Sequence, residues 1–169
     1  ISNDSYKAAT AKMYTMHGGL KKNEHLIEGM NSRLDEIQAA FLNIKLKFLE
    51  KKTQRRREIA QYFLENIDNQ NLILPKVPKY ISHSWHLFVI RTDFRSKFIT
   101  HLSNNGIAHN INYPVSLPFL QAYNYLSSTE KHFPIAAMEQ HRIISIPLFP
   151  ELRDEEITKI IEVCNAFKV

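Results

Sequence analysis

Apolar side chains recur at three- and four-residue steps along much of the first seventy residues, and where the period fails the chain turns or extends. Residues 4–16 predict a short helix with Asp4 as N-cap and Ala8, Ala9 and Ala11 supplying propensity. His17–Gly18–Gly19 closes it, because glycine accepts the left-handed conformation at a C-cap. Residues 20–29, LKKNEHLIEG, have no period and read as an irregular loop. Ser32 with Asp35 three residues on has capping-box spacing. Leu34, Ile37, Phe41, Ile44 and Phe48 then form one apolar stripe, which Ile59, Phe63 and Ile67 resume. The pattern predicts one helix, or two in close succession, from Ser32 to about Ile67, of a length that connects parts of a molecule.

After Asn69 the texture changes. Pro75 and Pro78 mark an extended connection, and SWHLFVIR (84–91) reads as a strand by its aromatic and β-branched content. Asp93 is placed to cap a helix with the stripe Phe94, Phe98, Ile99 and Leu102, ending at Asn104–Asn105–Gly106. IAHNINY (107–113) alternates like a half-buried strand. A short helical piece is expected over 118–126, another beginning at Pro134, a strand in IISIPLF, and a last helix from Asp154 with Ile157, Ile160, Ile161, Cys164 and Phe167 on one face. The sum is a small α+β unit from about residue 70, preceded by a long helical connection and a piece of something else.

Composition narrows this picture. Of 169 residues 44% are hydrophobic and 23% charged, which fits a globular chain, and the apolar runs are far shorter than the roughly 20 residues that span a bilayer. The first residues have no basic-then-apolar leader, so no signal peptide is expected. The single cysteine, Cys164, excludes an internal disulfide framework and fits a reducing, cytoplasmic setting. With isoleucine as its first residue, the chain is expected to be a fragment or a processed product. The net charge of +5 is concentrated in Lys45, Lys47, Lys51, Lys52, Arg55, Arg56 and Arg57. These are either the solvated face of a helix or an anion-binding patch, and the absence of interleaved aromatics weakens a nucleic-acid reading.

Self-contained chemistry is missing. GxxxxGK[ST], GxGxxG, CxxC, HExxH and GxSxG are all absent, and the eight histidines have no metal-ligand spacing on a helix. His17 beside Gly18 reads as an exposed cap or, less readily, as a residue facing a ligand; His83 and His86 read as packing around Trp85, and Cys164 as core. Two places carry polar groups that local structure does not demand: Asn31 with Arg33, and the strand end at Asn112–Tyr113 before Pro114.

Taken in order, SNDSYKAATAKMYTMHGG, GMNSRLDEIQAAFLNIKLKFL, RRREIAQYF, HLFVIR, Arg95, NNGI, NYPVSLPFLQAY, FPIA and IISIPLFPELRDEEI resemble the DegT/DnrJ/EryC1/StrS family of pyridoxal-phosphate-dependent sugar aminotransferases. The family's GxNxR-(M/L)-D-E-(I/L)-Q-A-A pattern is matched by Gly29, Asn31, Arg33, Leu34, Asp35, Glu36, Ile37, Gln38, Ala39 and Ala40. The resemblance implies the α+β C-terminal part of an aspartate-aminotransferase-type (fold type I) enzyme: residues 1–30 ending the large cofactor domain, 31–69 a long connecting helix, and 70–169 the small C-terminal domain. The Schiff-base lysine and the residues that stack on the cofactor ring and pair with its pyridine nitrogen would lie upstream, so these residues alone are expected not to transaminate.

The resemblance further implies a homodimer with shared active sites. Asn31 would reach the phosphate of the pyridoxal phosphate held by the partner subunit, and Arg33 would add orientation or charge. Lys22 would lie near the sugar nucleotide, and Asn112 and Tyr113 would contact the sugar. Many members read HYPxPLH where this chain has Asn112, Tyr113, Pro114 and, at the second histidine, Pro118. The leucine–proline–phenylalanine run is similar to that of enzymes aminating dTDP-3-oxo-6-deoxyhexoses, which favours carbon 3. Thr15 stands where the family usually has arginine, which puts the local ion pairing in doubt. The implied function is transfer of an amino group, typically from glutamate, to a keto-deoxyhexose nucleotide for surface polysaccharide (lipopolysaccharide) or deoxysugar synthesis, with neither nucleic acid nor membrane as partner. The alternative is a truncated, non-catalytic assembly or regulatory module, and a third reading is a nucleic-acid binder on the basic face.

Overall fold

The structure, a computed structural model, describes residues 2–21, 23–32 and 34–169. Lys22 and Arg33, two of the residues singled out above, lie outside the described residues. The chain divides into two compact units, Ile1–Leu49 and Glu50–Val169.

The first unit holds α1 (Ser5–Thr15) and α2 (Glu36–Leu46). Asp4 caps α1, its carboxylate accepting from the Lys7 N–H at 3.1 Å. His17 (φ 58°) and Gly18 (φ 87°) end it in the left-handed region. Helix α2 begins three residues later than expected. Its N-cap is Asp35, whose N–H donates to Gln38 Oε1 at 3.3 Å. Ser32 does not serve, because Leu34, two residues on, takes φ 60°, which the first turn of a helix does not allow. No residue of α2 is buried; Ile37, Phe41 and Ile44 of the stripe are each more than half exposed.

Helix α3 (Leu49–Asn66) follows α2 after a break at Lys47–Phe48, so the long helical connection is present as two helices in close succession. In the second unit, β1 (Phe88–Arg91) pairs antiparallel with β2 (Ile143–Ile146), Phe88 opposite Ile146 and Arg91 opposite Ile143. Single bridges extend this ribbon on either side, Ile73 on Arg91 and Asn110 on Ser145. β1 is shorter than its apolar run: Trp85 sits at φ 52° and gives its N–H to His83 Nδ1 at 2.9 Å, which turns the chain. His83 packs on the Trp85 ring at 4.4 Å, whereas His86 is exposed. Residues 107–113 form no strand; beyond the Asn110 bridge, the Ile111 N–H is taken by Asn110 Oδ1.

Helix α4 (Arg95–Asn104) has Phe94 as its N-cap and no side-chain cap; the Phe94 N–H donates to Thr92 Oγ1, and Asp93, the expected cap, instead pairs with Arg142 Nε at 2.7 Å. Two 3-10 turns (Leu117–Phe119 and Gln121–Leu126), α5 (Pro134–Glu139) and α6 (Asp154–Ala166) complete the unit. The core joins Ile59 and Phe63 of α3, Phe88 and Ile90 of β1, Phe98 and Leu102 of α4, Ile144 of β2, and Ile160 and Cys164 of α6. Phe63 meets Phe88 edge-on at 5.2 Å, a favoured aromatic geometry.

Candidate functional site

The Gly29–Ser32 segment lies antiparallel to the end of α1. His17 N–H donates to the Met30 carbonyl (3.1 Å), Met30 N–H to Tyr14 (2.7 Å), and Ser32 N–H to Thr15 (3.0 Å), with Met16 and Asn31 as the bridge pair. Gly29 makes this approach possible. A Cβ there would overlap the Gly18 nitrogen and stand 2.8 Å from the His17 carbonyl carbon and 2.9 Å from the Tyr14 oxygen, all backbone atoms that cannot swing aside. The glycine therefore sets the backbone, and two residues on Asn31 is exposed. An amide side chain carries two N–H donors that can bond an oxygen acceptor such as a phosphate.

In the second unit a turn is pinned at both ends. Asn110 and Ser145 exchange two backbone hydrogen bonds (2.7 and 3.1 Å), and Ser145 Oγ donates to Asn112 Oδ1 at 3.0 Å. Four residues on, Ser116 N–H donates to Gln140 Oε1 at 2.9 Å and Ser116 Oγ to the Ala136 carbonyl at 3.0 Å. Between these anchors Tyr113 is 73% exposed, which leaves its ring and hydroxyl available. Buried Gln140 is held in turn, its carbonyl accepting from Arg95 Nη1. Nearby, Glu139 Oε1 accepts from Arg91 (3.1 Å) and Arg142 (3.2 Å), a half-buried ion pair that fixes α5 against the strands.

Of the residues singled out from sequence, Asn31 belongs to the first unit and Asn112 with Tyr113 to the second. Ser145, Ser116 and Gln140 were missed. Their signal was slight: Ser145 is the one polar residue in the IISI strand.

Among the described residues, three of the seven cations of the basic run are paired. Lys52 pairs with Glu151 at 2.6 Å and its hydrogen bond holds that carboxyl below the usual range; Arg55 pairs with Asp154 at 2.8 Å, and Arg57 with Glu50 at 3.4 Å and the His83 carbonyl at 3.1 Å. A cleft of about 380 Å3 between α3 and α6 is walled by Arg55, Tyr62 and Asp154, away from Asn112 and Tyr113. Among the described residues no group of three or more His, Cys, Asp or Glu could hold a metal ion, and no helix is long and apolar enough to cross a membrane.

A sequence profile of the DegT/DnrJ/EryC1/StrS aminotransferase family matches residues 1–165. The dTDP-3-amino-3,6-dideoxy-alpha-D-galactopyranose transaminase of Aneurinibacillus thermoaerophilus is 39% identical over 166 residues, 98% of this chain and 45% of that protein. The crystal structure of S. venezuelae DesV superposes with a TM-score of 0.88 at 30% identity, over 98% of this chain and 45% of that one. A DegT DnrJ EryC1 StrS aminotransferase from Brucella abortus superposes with a TM-score of 0.85 at 30% identity, over 97% and 44%. The chain thus spans about 45% of the length of these relatives.

Proposed function

The chain belongs to the DegT/DnrJ/EryC1/StrS aminotransferase family, and from that premise we propose that it is the C-terminal portion of a nucleotide-sugar aminotransferase. Proteins of this family depend on pyridoxal 5'-phosphate, and the small α+β domain described above is part of their fold. The single observation that carries the reading is the family match over residues 1–165, inside which Gly29 holds the backbone so that Asn31 stands exposed.

In this reading residues 1–30 end the cofactor domain, 31–69 connect, and 70–169 form the small domain. Two subunits build each site. Asn31 donates from its amide to a phosphate oxygen of the cofactor bound by the partner subunit, Arg33 adds positive charge beside it, and Lys22 meets the sugar nucleotide. Asn112 and Tyr113, on the pinned turn, orient the sugar. Pyridoxal phosphate, when bound, supplies the electron sink for the carbon that gains or loses the amino group. The acceptor is a dTDP-linked keto-deoxyhexose aminated at carbon 3, as the name of the A. thermoaerophilus relative and the Leu117–Pro118–Phe119 run support. Glutamate is the donor, and the product serves surface polysaccharide or deoxysugar synthesis in the cytoplasm.

The test is amino transfer by a protein of the relatives' full length carrying this sequence. Supplied with pyridoxal phosphate, glutamate and a dTDP-3-keto-6-deoxyhexose, it is expected to yield the amino sugar by mass spectrometry, while residues 1–169 alone yield none. Turnover by the 169 residues alone, or none by the longer protein, would sink the proposal.

A further inference from the structure

Asn112 is half-buried, and its two amide ends differ in what they meet. Ser145 is 4% exposed, and its hydroxyl has one proton to give. That proton goes to Asn112 Oδ1 at 3.0 Å across 33 residues of sequence. The geometry is enforced from below, since the backbones of Ser145 and Asn110 exchange two hydrogen bonds and Ser145 lies within β2 opposite Val89 of β1. Among the described residues Asn112 Nδ2 makes no hydrogen bond.

We infer that Ser145 is a positioning residue that fixes the amide of Asn112 with its oxygen inward and its nitrogen outward. The outward face is then donor-only, and what it recognises on the sugar is an oxygen lone pair: a keto or ether oxygen, or a hydroxyl acting as acceptor. Recognition of this kind does not titrate between pH 6 and 9, unlike that of an imidazole with its ordinary value near 6.5. The inference rests on the functional reading above, in which Asn112 faces the sugar.

The experiment uses the full-length holoenzyme and the amino sugar dTDP-3-amino-3,6-dideoxy-α-D-galactopyranose as probe in the reverse half-reaction. Ser145→Ala lets the amide rotate and is expected to raise KM about 3- to 10-fold with kcat nearly kept, the scale of one net hydrogen bond. Ser145→Thr, which keeps the hydroxyl, restores it. Asn112→Asp, with Ser145 intact, turns an outward donor into a charged acceptor and is expected to raise KM more than about tenfold. Asn112→His is expected to add an imidazole's titration near pH 6.5 to the pH profile of KM, absent from the wild-type profile measured alongside. If Asn112→Asp binds the probe as well as wild type, the outward group is an acceptor and the inference is overturned, even should Ser145→Ala fail to fold. It is overturned equally if Asn112→Ala weakens the probe and a folded Ser145→Ala does not. Wild-type enzyme blind to the probe would instead sink the functional reading, and the inference with it.

Discussion

Asn69 places its Nδ2 2.8 Å from the Phe167 carbonyl, and the same amide donates to the Cys164 carbonyl at 2.9 Å. The last carbonyls of a helix have no partner within it. Here one side chain, just beyond α3, satisfies two carbonyls at the end of α6. Asn69→Ala would take this donor from the Phe167 carbonyl and leave the Cys164 carbonyl only the longer bond from the Phe167 N–H at 3.4 Å, in a half-buried place. It is expected to cost the second unit about 1–3 kcal/mol, read as a lower urea midpoint at unchanged m-value.

Phe63 and Phe41 are equal in chemistry and opposite in setting. Phe63 is wholly buried against Phe88, whereas Phe41 is 61% exposed on α2. Phe63→Ala should destabilise the chain by about 3–5 kcal/mol, the cost of lost burial plus a cavity. Phe41→Ala should change the stability of the 169 residues by less than about 0.5 kcal/mol. Equal losses in chemical denaturation would show that α2 is packed in solution.

That contrast shows what the sequence could and could not convey. Periodicity located the long helices, because a three- to four-residue stripe is a property of the local chain, but it could not say that the α2 stripe buries nothing while the α6 stripe is core. Ends were less legible. Ser32 looked like the cap, but the chain there meets the end of α1 and turns left-handed at Leu34, so the helix starts only after Asp35. The strand expected over 107–113 shrank to one bridge for a similar reason. Asn31 and Asn112 were visible as polar residues without a local role. Ser145, which holds Asn112, was not, since a serine in a strand has no pattern until its partner 33 residues away is placed.

Gly29→Ala tests the close approach beneath Asn31. The added Cβ would meet backbone on three sides. The expected cost is about 1–3 kcal/mol, that of overpacking, together with faster hydrogen exchange at the Met30 and Ser32 amides that bond to Tyr14 and Thr15. Unchanged protection at both amides would mean that the segment does not lie as described.

Cys164 is buried in α6, and burial pushes its thiol up from an ordinary 9.0 to about 12. Because the folded value is raised, its contribution to stability is fully present below pH 9 and is lost as pH climbs from 9 towards about 12, where the unfolded chain ionises and the folded one resists. Cys164→Ala removes that part of the alkaline slope, so the difference in urea midpoint between the two chains should narrow over this window. The native thiol should also react with a disulfide reagent at pH 8 only as fast as the chain opens. Rapid stoichiometric labelling under native conditions would contradict its burial.

Asn31 carries the most direct test of the cofactor assignment, and its two substitutions separate charge from structure. On the proposed assignment, Asn31→Ala in a protein of the relatives' full length deletes one donor to a charged phosphate, an interaction worth about 1.5–3 kcal/mol, so the cofactor dissociation constant should rise about tenfold or more. Asn31→Asp keeps the size but turns a carboxylate towards the phosphate and should weaken retention further. Both changes leave the backbone pairing of Asn31 with Met16 in place, since that bridge does not depend on the side chain. A fall in apoprotein stability with cofactor affinity unchanged would return Asn31 to the role of a turn residue.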